Sequence, residues 1–125
     1  MIHGIGTDIV AVARMEEFRL RHGQRGLEKL LAPEERAECG ASTQPARFLA
    51  KRFAAKEALG KALGIGVRAP ATLPAITVTH DAQGKPSFGF APELATFIGE
   101  RGLIAHLSIS DEREYAIAFV VLEKP

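Results

Sequence analysis

The chain has 125 residues, of which 46% are hydrophobic and 25% charged, and its net charge is +1. This composition is typical of a globular protein, and the length favours one domain spanning residues 1–125. No apolar run is long enough to cross a membrane, and the near-neutral charge argues against general nucleic-acid binding. The single cysteine, Cys39, cannot form an internal disulfide, and the start lacks a signal-peptide pattern. These features favour the cytoplasm.

The first predicted element is a strand, "MIHGIGTDIVAV". Alternation along a strand places Ile2, Gly4, Gly6, Asp8 and Val10 on one face. Glycine within a strand often marks the close approach of another backbone or of a ligand. Asp8 is therefore either a metal ligand reached through a narrow gap or an acid that caps the following helix.

A helical segment follows from about residue 13 to 31, and Gly23 and Gly26 mark an interruption in it. At about 100° per residue, Arg14, Arg21 and Arg25 fall within about 60° of one another. The three cations share one helix face if Gly23 does not break the helix. A second helix is predicted to begin at Pro33, where early acids favour a helix start.

In the long helix predicted for residues 46–63, charged and apolar residues are not segregated on separate faces. Glu57 and Lys61 share one side with small residues. As an i,i+4 pair they stabilise an isolated helix by about 0.2–0.5 kcal/mol. Alternatively, Glu57 and Asp8 hold Mg²⁺ while Lys61 contacts a phosphate. Between residues 44 and 70 six cations accompany one anion, which indicates either a local anionic ligand or a solvated face.

The second half of the chain mixes strands and helices without regular βαβ alternation. A Gly/Pro-rich connection leads to the strands "AITVTH" and "PSFGF", which flank a turn at Gly84. A helix is predicted from Pro92 to Gly102, followed by a hairpin. This order of elements predicts the α+β class.

The final hairpin raises two questions. His106 and Ser108 share one strand face, which is either a ligand-binding stripe or the wet face of a half-exposed sheet. The strand from Tyr115 to Leu122 is apolar on both faces, so both need cover. A symmetry mate could cover the second face, or the segment 91–101 or the "GIGVRAP" loop could do so within one chain.

Three segments together resemble one family: "GIGTDIVAVARM" from Gly4, "FLAKRFAAKEALGKALGIG" from Phe48, and "HLSISDEREYAIAFVVLE" from His106. "GKPSF" from Gly84 is a weaker fourth. They are similar to the holo-[acyl-carrier-protein] synthases, the small bacterial phosphopantetheinyl transferases. The resemblance implies an antiparallel sheet packed against a long central helix, in a trimer. It also implies transfer of 4′-phosphopantetheine from coenzyme A to a serine of apo-acyl carrier protein in fatty acid biosynthesis, leaving 3′,5′-ADP.

The resemblance also assigns roles to individual residues. It implies that Asp8 and Glu57 hold Mg²⁺ and that Lys61 contacts phosphate and assists the leaving group. Two positions depart from the family, which often has His at Asp111 and Asn at Gln83. The implied coenzyme A contacts are Arg52 and the Gly64–Gly66 turn near the phosphates, His106 and Ser108 on the facing strand, and Gly84, Lys85 and Pro86 at the adenine end. The implied docking residues for the acidic carrier protein are Arg14, Arg21 and Arg25.

Two other classes of function are compatible with parts of the sequence. The basic helix alone fits a non-catalytic module that binds nucleotides or acidic proteins, and the apolar strand alone fits a structural, trimer-forming domain. Both alternatives predict that Asp8→Asn and Glu57→Gln leave activity unchanged. A metal-dependent transferase predicts that each substitution abolishes it.

Overall fold

The computed structural model describes all residues from Met1 to Pro125. It contains five strands and four α-helices, with a 3₁₀ turn at Leu73–Ala75. None of the helices combines the length and the hydropathy that crossing a membrane requires. The elements in chain order are β1 (Ile2–Ala11), α1 (Val12–Leu30), α2 (Pro33–Ala41), α3 (Pro45–Leu63), β2 (Ile76–His80), β3 (Pro86–Phe90), α4 (Pro92–Glu100), β4 (Ile104–Asp111) and β5 (Tyr115–Glu123).

The strands form two antiparallel sheets. The larger sheet has the order β1-β5-β4, and β2 and β3 form a separate hairpin. In the larger sheet Asp8 lies opposite Ala118, and Ser108 lies opposite Phe119. The predicted α+β class is confirmed, and the almost wholly apolar β5 is the central strand.

The glycines of β1 face α3 at very short range. A Cβ atom built on Gly4 would lie 2.1 Å from the carbonyl oxygen of Ala62, and one built on Gly6 would lie 2.0 Å from that of Ala58. No side chain fits there, so of the two alternatives predicted from these glycines, approach of another backbone or of a ligand, the structure shows the backbone of α3. The expected position of Ile2 on the same face is wrong, because an irregularity between Ile2 and Gly4 shifts the register and leaves Ile2 exposed.

Helix α3 has no continuous solvent-exposed face because other elements pack against several of its sides. Two of its cations, Arg52 and Lys56, are buried together with nine smaller or apolar residues of the same helix. It packs against β1 and β5 on one side and against α1 and α2 on others. The central helix expected from the sequence is therefore the core element of the fold.

One face of the larger sheet is left open. Along β5, Ala116, Ala118, Val120 and Leu122 are buried, whereas Tyr115, Ile117 and Phe119 on the opposite face are 43–50% exposed. Ile5 and Ile9 of β1 extend this apolar face. Neither α4 nor the loop after α3 covers it, so the alternative of cover from within one chain is not what the structure shows.

Helix α1 is interrupted at Gly23, which has φ 55° and ψ −141°. The condition under which Arg14, Arg21 and Arg25 would share one helix face is therefore not met, because the kink redirects the chain between Arg21 and Arg25. Gly26, in contrast, is helical and buried, and a Cβ there would lie 2.7 Å from the ring of Phe18.

Candidate active site

Asp8 and Lys61 meet where β1 crosses the second half of α3. The Nζ atom of Lys61 lies 3.1 Å from Oδ1 of Asp8 and donates a hydrogen bond of 2.9 Å to the carbonyl oxygen of Thr7. The side chain of Asp8 is 18% exposed and that of Lys61 is 54% exposed. Lys61 thus pairs with a residue 53 positions away, and the i,i+4 pair with Glu57 is not formed.

Glu57 is the carboxylate left without a partner. It forms no hydrogen bond and no ion pair, and its side chain is half-buried. Burial raises the pKa of Glu57, and the negative charge of Asp8 raises it further. Lys61 and Arg14 oppose this rise in pKa, which places a cation of α1 within electrostatic reach of the carboxylate.

The two carboxylates form a donor set that fits a small, hard cation. Mg²⁺ takes one or two protein carboxylates and fills its other positions with water and substrate phosphates. The chain has no group of three or more metal-ligating side chains, so any such ion would depend on phosphate oxygens or water. A cation at Glu57 and Asp8 would relieve the repulsion that raises the pKa of Glu57.

The turn after α3 lies directly beside Lys61. Gly64 and Gly66 have φ values of 80° and 72°, a conformation that glycine adopts without strain. The amide of Gly66 donates to the carbonyl oxygen of Gly60 at 3.0 Å, and the amide of Gly64 donates to that of Lys61 at 3.1 Å. The predicted turn thus folds back onto the helix that carries Glu57 and Lys61.

Arg52 does not join this cluster. Its side chain is 4% exposed, its Nε atom lies 3.4 Å from Oε2 of Glu35, and its guanidinium lies 4.3 Å from the ring centre of Phe48. The expectation that Arg52 faces a ligand phosphate is not met in the single chain, because Glu35 of α2 draws the guanidinium inward.

The turn between β2 and β3 is closed by Asp81. Its Oδ1 atom accepts hydrogen bonds of 2.9 Å from the amides of Gln83 and Lys85. The bond from Lys85 is the main cause that lowers the pKa of Asp81. Gly84 has φ 86°. No hydrogen bond or ion pair links the predicted adenine end, Gly84 to Pro86, to Asp8, Glu57 or Lys61.

His106 and Ser108 lie on the open face of the larger sheet, away from Asp8. Nε2 of His106 is 3.0 Å from Oε1 of Glu123. At the end of the same strand, Asp111 forms an ion pair with Arg47 of α3. The negative charge of Asp111, at a position where the family often has His, is therefore paired with a cation of the same chain.

Arg14 and Arg21 lie at a groove of about 250 Å³ on α1. The guanidinium carbon of Arg14 is 5.6 Å from the ring centre of Phe53. Arg25, beyond the kink, does not line this groove. The other lining residues are Met15, Glu17, Phe18, His22, Leu30 and Phe53.

One feature beside the site did not emerge from the sequence: Lys56, next to Glu57, is completely buried and paired with Glu35. Burial lowers the pKa of Lys56, and the Glu35 carboxylate opposes this. Two signals pointed to this pair. Lys56 is flanked by alanines in "FAAKEA", and Glu35 is the third residue of the helix predicted to begin at Pro33, a position from which a glutamate side chain can reach back to the amide before the helix, here that of Ala32.

Comparisons with known proteins identify the family of this chain. The family model of the 4′-phosphopantetheinyl transferase superfamily matches residues 4–120. The holo-[acyl-carrier-protein] synthase of Dechloromonas aromatica is 61% identical over 123 residues, which cover 98% of each chain. The crystal structure of the synthase from Neisseria meningitidis has a TM-score of 0.95 and 45% identity, covering 99% of this chain and 100% of that one.

The synthase from Bacillus anthracis, solved in complex with CoA (3′,5′-ADP), has a TM-score of 0.83 and 35% identity, covering 100% of this chain and 99% of that one. The chain therefore belongs to the 4′-phosphopantetheinyl transferase superfamily. Within it, these three relatives, each similar to this chain over nearly its whole length, are holo-[acyl-carrier-protein] synthases. This confirms the family that the sequence motifs indicated.

Proposed function

We propose that this protein transfers 4′-phosphopantetheine from coenzyme A to a serine of apo-acyl carrier protein, for fatty acid biosynthesis. The observation that carries the proposal is the open, half-buried Glu57 beside the Asp8–Lys61 pair, in a chain of this family. The proposed location is the cytoplasm, in keeping with the unpaired thiol of Cys39.

In the proposed reaction the serine oxygen bonds to the phosphorus of the pantetheine phosphate, and the bond from that phosphorus to 3′,5′-ADP breaks. Asp8 and Glu57 would hold Mg²⁺, which neutralises pyrophosphate charge when bound. Lys61 would exchange Asp8 for a phosphate oxygen and offset charge on the departing 3′,5′-ADP. Glu57 is the candidate base for the serine proton, directly or through a water molecule.

The proposed coenzyme A site extends from this centre. The Gly64–Gly66 turn lies beside Lys61 and would contact the phosphates. Arg52 is not part of the proposed set, because its guanidinium is already paired with Glu35. The residues proposed for the remaining contacts are His106, Ser108, Gly84, Lys85 and Pro86.

We propose a homotrimer in which a neighbouring subunit covers the open sheet face. The exposed side chains of Tyr115, Ile117 and Phe119 support this, because contiguous apolar surface of this kind marks an interface. His106 and Ser108 would then face a site completed by that neighbour. Sedimentation equilibrium tests the proposal: we expect the trimer mass for the wild type and a smaller species for Ile117→Lys. A fully active wild-type monomer would exclude it.

We propose that the acidic carrier protein docks on α1 at the groove flanked by Arg14 and Arg21. Arg25 lies beyond the kink and provides a matched control. Arg21→Glu should raise the KM for carrier protein without changing the KM for coenzyme A, and Arg25→Glu should have a smaller effect. Equal effects of the two reversals would contradict docking at this groove.

The function is tested by mass spectrometry of an apo-acyl carrier protein after incubation with this protein, coenzyme A and Mg²⁺. We expect a mass increase of one phosphopantetheine group. The same reaction with EDTA, with Asp8→Asn or with Glu57→Gln should leave the carrier unmodified. An unmodified carrier in the complete reaction would leave the non-catalytic binding module as the better explanation.

A further inference from the structure

Lys56 is a fully buried charge, and all of its hydrogen-bonding capacity is used. Its ammonium group, which has three donors, donates to the carbonyl oxygen of Leu30 at 2.9 Å, to Oε1 of Glu35 at 2.6 Å and to the carbonyl oxygen of Leu73 at 3.0 Å. The side chains of Lys56 and Glu35 are both 0% exposed. The ammonium group thereby ties α3 to the end of α1, to α2 and to the 3₁₀ turn.

Glu35 extends the network to two further backbone groups. Its Oε1 atom accepts from the amide of Ala32 at 2.9 Å, and its Oε2 atom accepts from the amide of Val78 in β2 at 3.0 Å. Arg52 adds a second cation on the Oε2 side, at 3.4 Å. The pair therefore joins five segments of the chain at one buried point.

The opposite side of α3 is held to β1 by close backbone packing and by one partly exposed side chain, Lys61, which bonds to Thr7 and Asp8. The helix meets β1 through Ala58 and Ala62, against Gly4 and Gly6. Small residues permit this close approach, but they supply few side chains that interlock and resist rotation or sliding. Lys56 and Glu57 are consecutive, so their side chains leave the helix about 100° apart. An anchor at Lys56 therefore determines where Glu57 points.

We propose that the Lys56–Glu35 ion pair is a positioning device that fixes the rotation and axial position of α3, and thereby holds Glu57 opposite Asp8. A buried ion pair is often no more stabilising than apolar residues of similar volume. Its contribution here is the placement of the neighbouring carboxylate. The inference rests on the proposed function only for its kinetic test.

The test uses the full-length double variant Lys56→Met/Glu35→Gln, which removes both charges and keeps an amide oxygen for Ala32 or Val78. Misplacement of catalytic groups by about 1 Å costs up to about a hundredfold in rate, so we expect kcat to fall at least about tenfold. The KM for coenzyme A should change less than kcat, since only Lys61 and the Gly64–Gly66 turn among its proposed contacts move with α3. Glu35→Asp keeps both charges but shortens the carboxylate by one methylene; it should give a smaller fall in kcat, and it replaces the double variant if that variant does not fold.

A second measurement does not require activity. The Gly6 Hα to Ala62 amide proton contact reports the register of α3 on β1, since a Cβ on Gly6 would lie 2.8 Å from the nitrogen of Ala62. We expect this nuclear Overhauser effect to weaken in the variant. If the wild type transfers nothing, the proposed function fails while this measurement still tests the positioning role.

Leu94→Ala is the matched control for general destabilisation, because Leu94 is fully buried in α4 and makes none of these contacts. Each protein is assayed at the same number of degrees below its own melting temperature. Under these conditions Leu94→Ala should keep the wild-type kcat and the wild-type Overhauser effect. Equal losses of kcat in the control and the charge-free variant would overturn the proposal. So would an unchanged kcat and an unchanged register in the charge-free variant.

Discussion

Lys56 and Glu57 are neighbours in the sequence, yet their environments are opposites. Lys56 is fully buried and has three hydrogen-bond acceptors, one of them the carboxylate of Glu35. Glu57 is half-buried, has no hydrogen-bond partner, and has its pKa raised by burial and by Asp8. The comparison shows that burial of a charged side chain does not by itself indicate a ligand-binding site. A satisfied buried charge fixes the positions of the elements around it, whereas an unsatisfied one beside a like charge is available for a ligand.

The largest effect on stability is expected at the satisfied charge. Lys56→Met removes one partner and leaves the Glu35 carboxylate buried, which should lower the free energy of unfolding by about 3 kcal/mol. Urea unfolding measures this change. Arg19→Met breaks a surface pair with Glu16 and should change stability far less. A loss at Lys56 no larger than at Arg19 would contradict the distinction between the two environments.

The largest effect on activity is expected at the unsatisfied charge. Asp8→Asn and Glu57→Gln should each lower the rate of transfer by more than about a hundredfold, because each removes a carboxylate proposed to hold Mg²⁺ and a bound metal ion supplies several kcal/mol of charge stabilisation. Neither variant should unfold, since Glu57 makes no hydrogen bond and the Asp8–Lys61 pair is exposed on the lysine side. Discontinuous transfer assays at several Mg²⁺ concentrations check this. Near-normal transfer by either variant at low Mg²⁺ would show that the carboxylates do not share an ion.

Most of this contrast between Lys56 and Glu57 cannot be predicted from the sequence, and the reason is physical. The β1 face with Gly4, Gly6 and Asp8 follows from period-two alternation, and the bounds of α3 follow from its helix formers and terminal glycines. These are local signals. The partners of Lys56 and Lys61 lie 21 and 53 residues away, and no local pattern specifies which distant carboxylate will meet a given ammonium group.

The residues of the proposed ligand site divide in the same way. Strand β1 and helix α3 cross at Gly4 and Gly6 of β1, and this crossing brings together Asp8, Glu57 and Lys61. Arg52 was expected at a phosphate but turns inward, because α2 brings Glu35 and Glu38 toward it. The kink at Gly23 separates Arg25 from Arg14 and Arg21, since one residue with positive φ redirects a helix. The sequence indicated an interruption without showing its direction.

Lys61 gives an intermediate case that sharpens the comparison. Its pair with Asp8 is 54% exposed on the lysine side, and exposed pairs of this kind contribute at most about 1 kcal/mol. Lys61→Ala should therefore leave the free energy of unfolding nearly unchanged while lowering kcat for transfer more than about tenfold, the range expected when a phosphate-contacting charge is lost. Denaturant unfolding and steady-state kinetics on the same preparation separate the two. Normal kcat with reduced stability would make Lys61 a purely structural partner of Asp8.

The smallest expected effect is the contribution of Glu57 to the pH dependence of the free energy of unfolding. Because the pKa of Glu57 is raised in the folded protein above its ordinary value of 4.5, the native state binds more protons than the unfolded state between 4.5 and the folded pKa. The free energy of unfolding contributed by this group therefore falls as pH rises through that window and stays low above it.

Glu57→Gln should remove this contribution to the pH dependence. In EDTA its melting temperature should exceed that of the wild type by an amount that grows through this window and then stays constant. Glu28→Gln, at an exposed position of α1, should produce no such growth. Added Mg²⁺ should raise the melting temperature of the wild type and not that of Glu57→Gln, because an ion bound between the carboxylates stabilises only the protein that retains both. A melting-temperature difference that shrinks as pH rises would mean that Glu57 has a compensating partner, and the contrast with Lys56 would then fail.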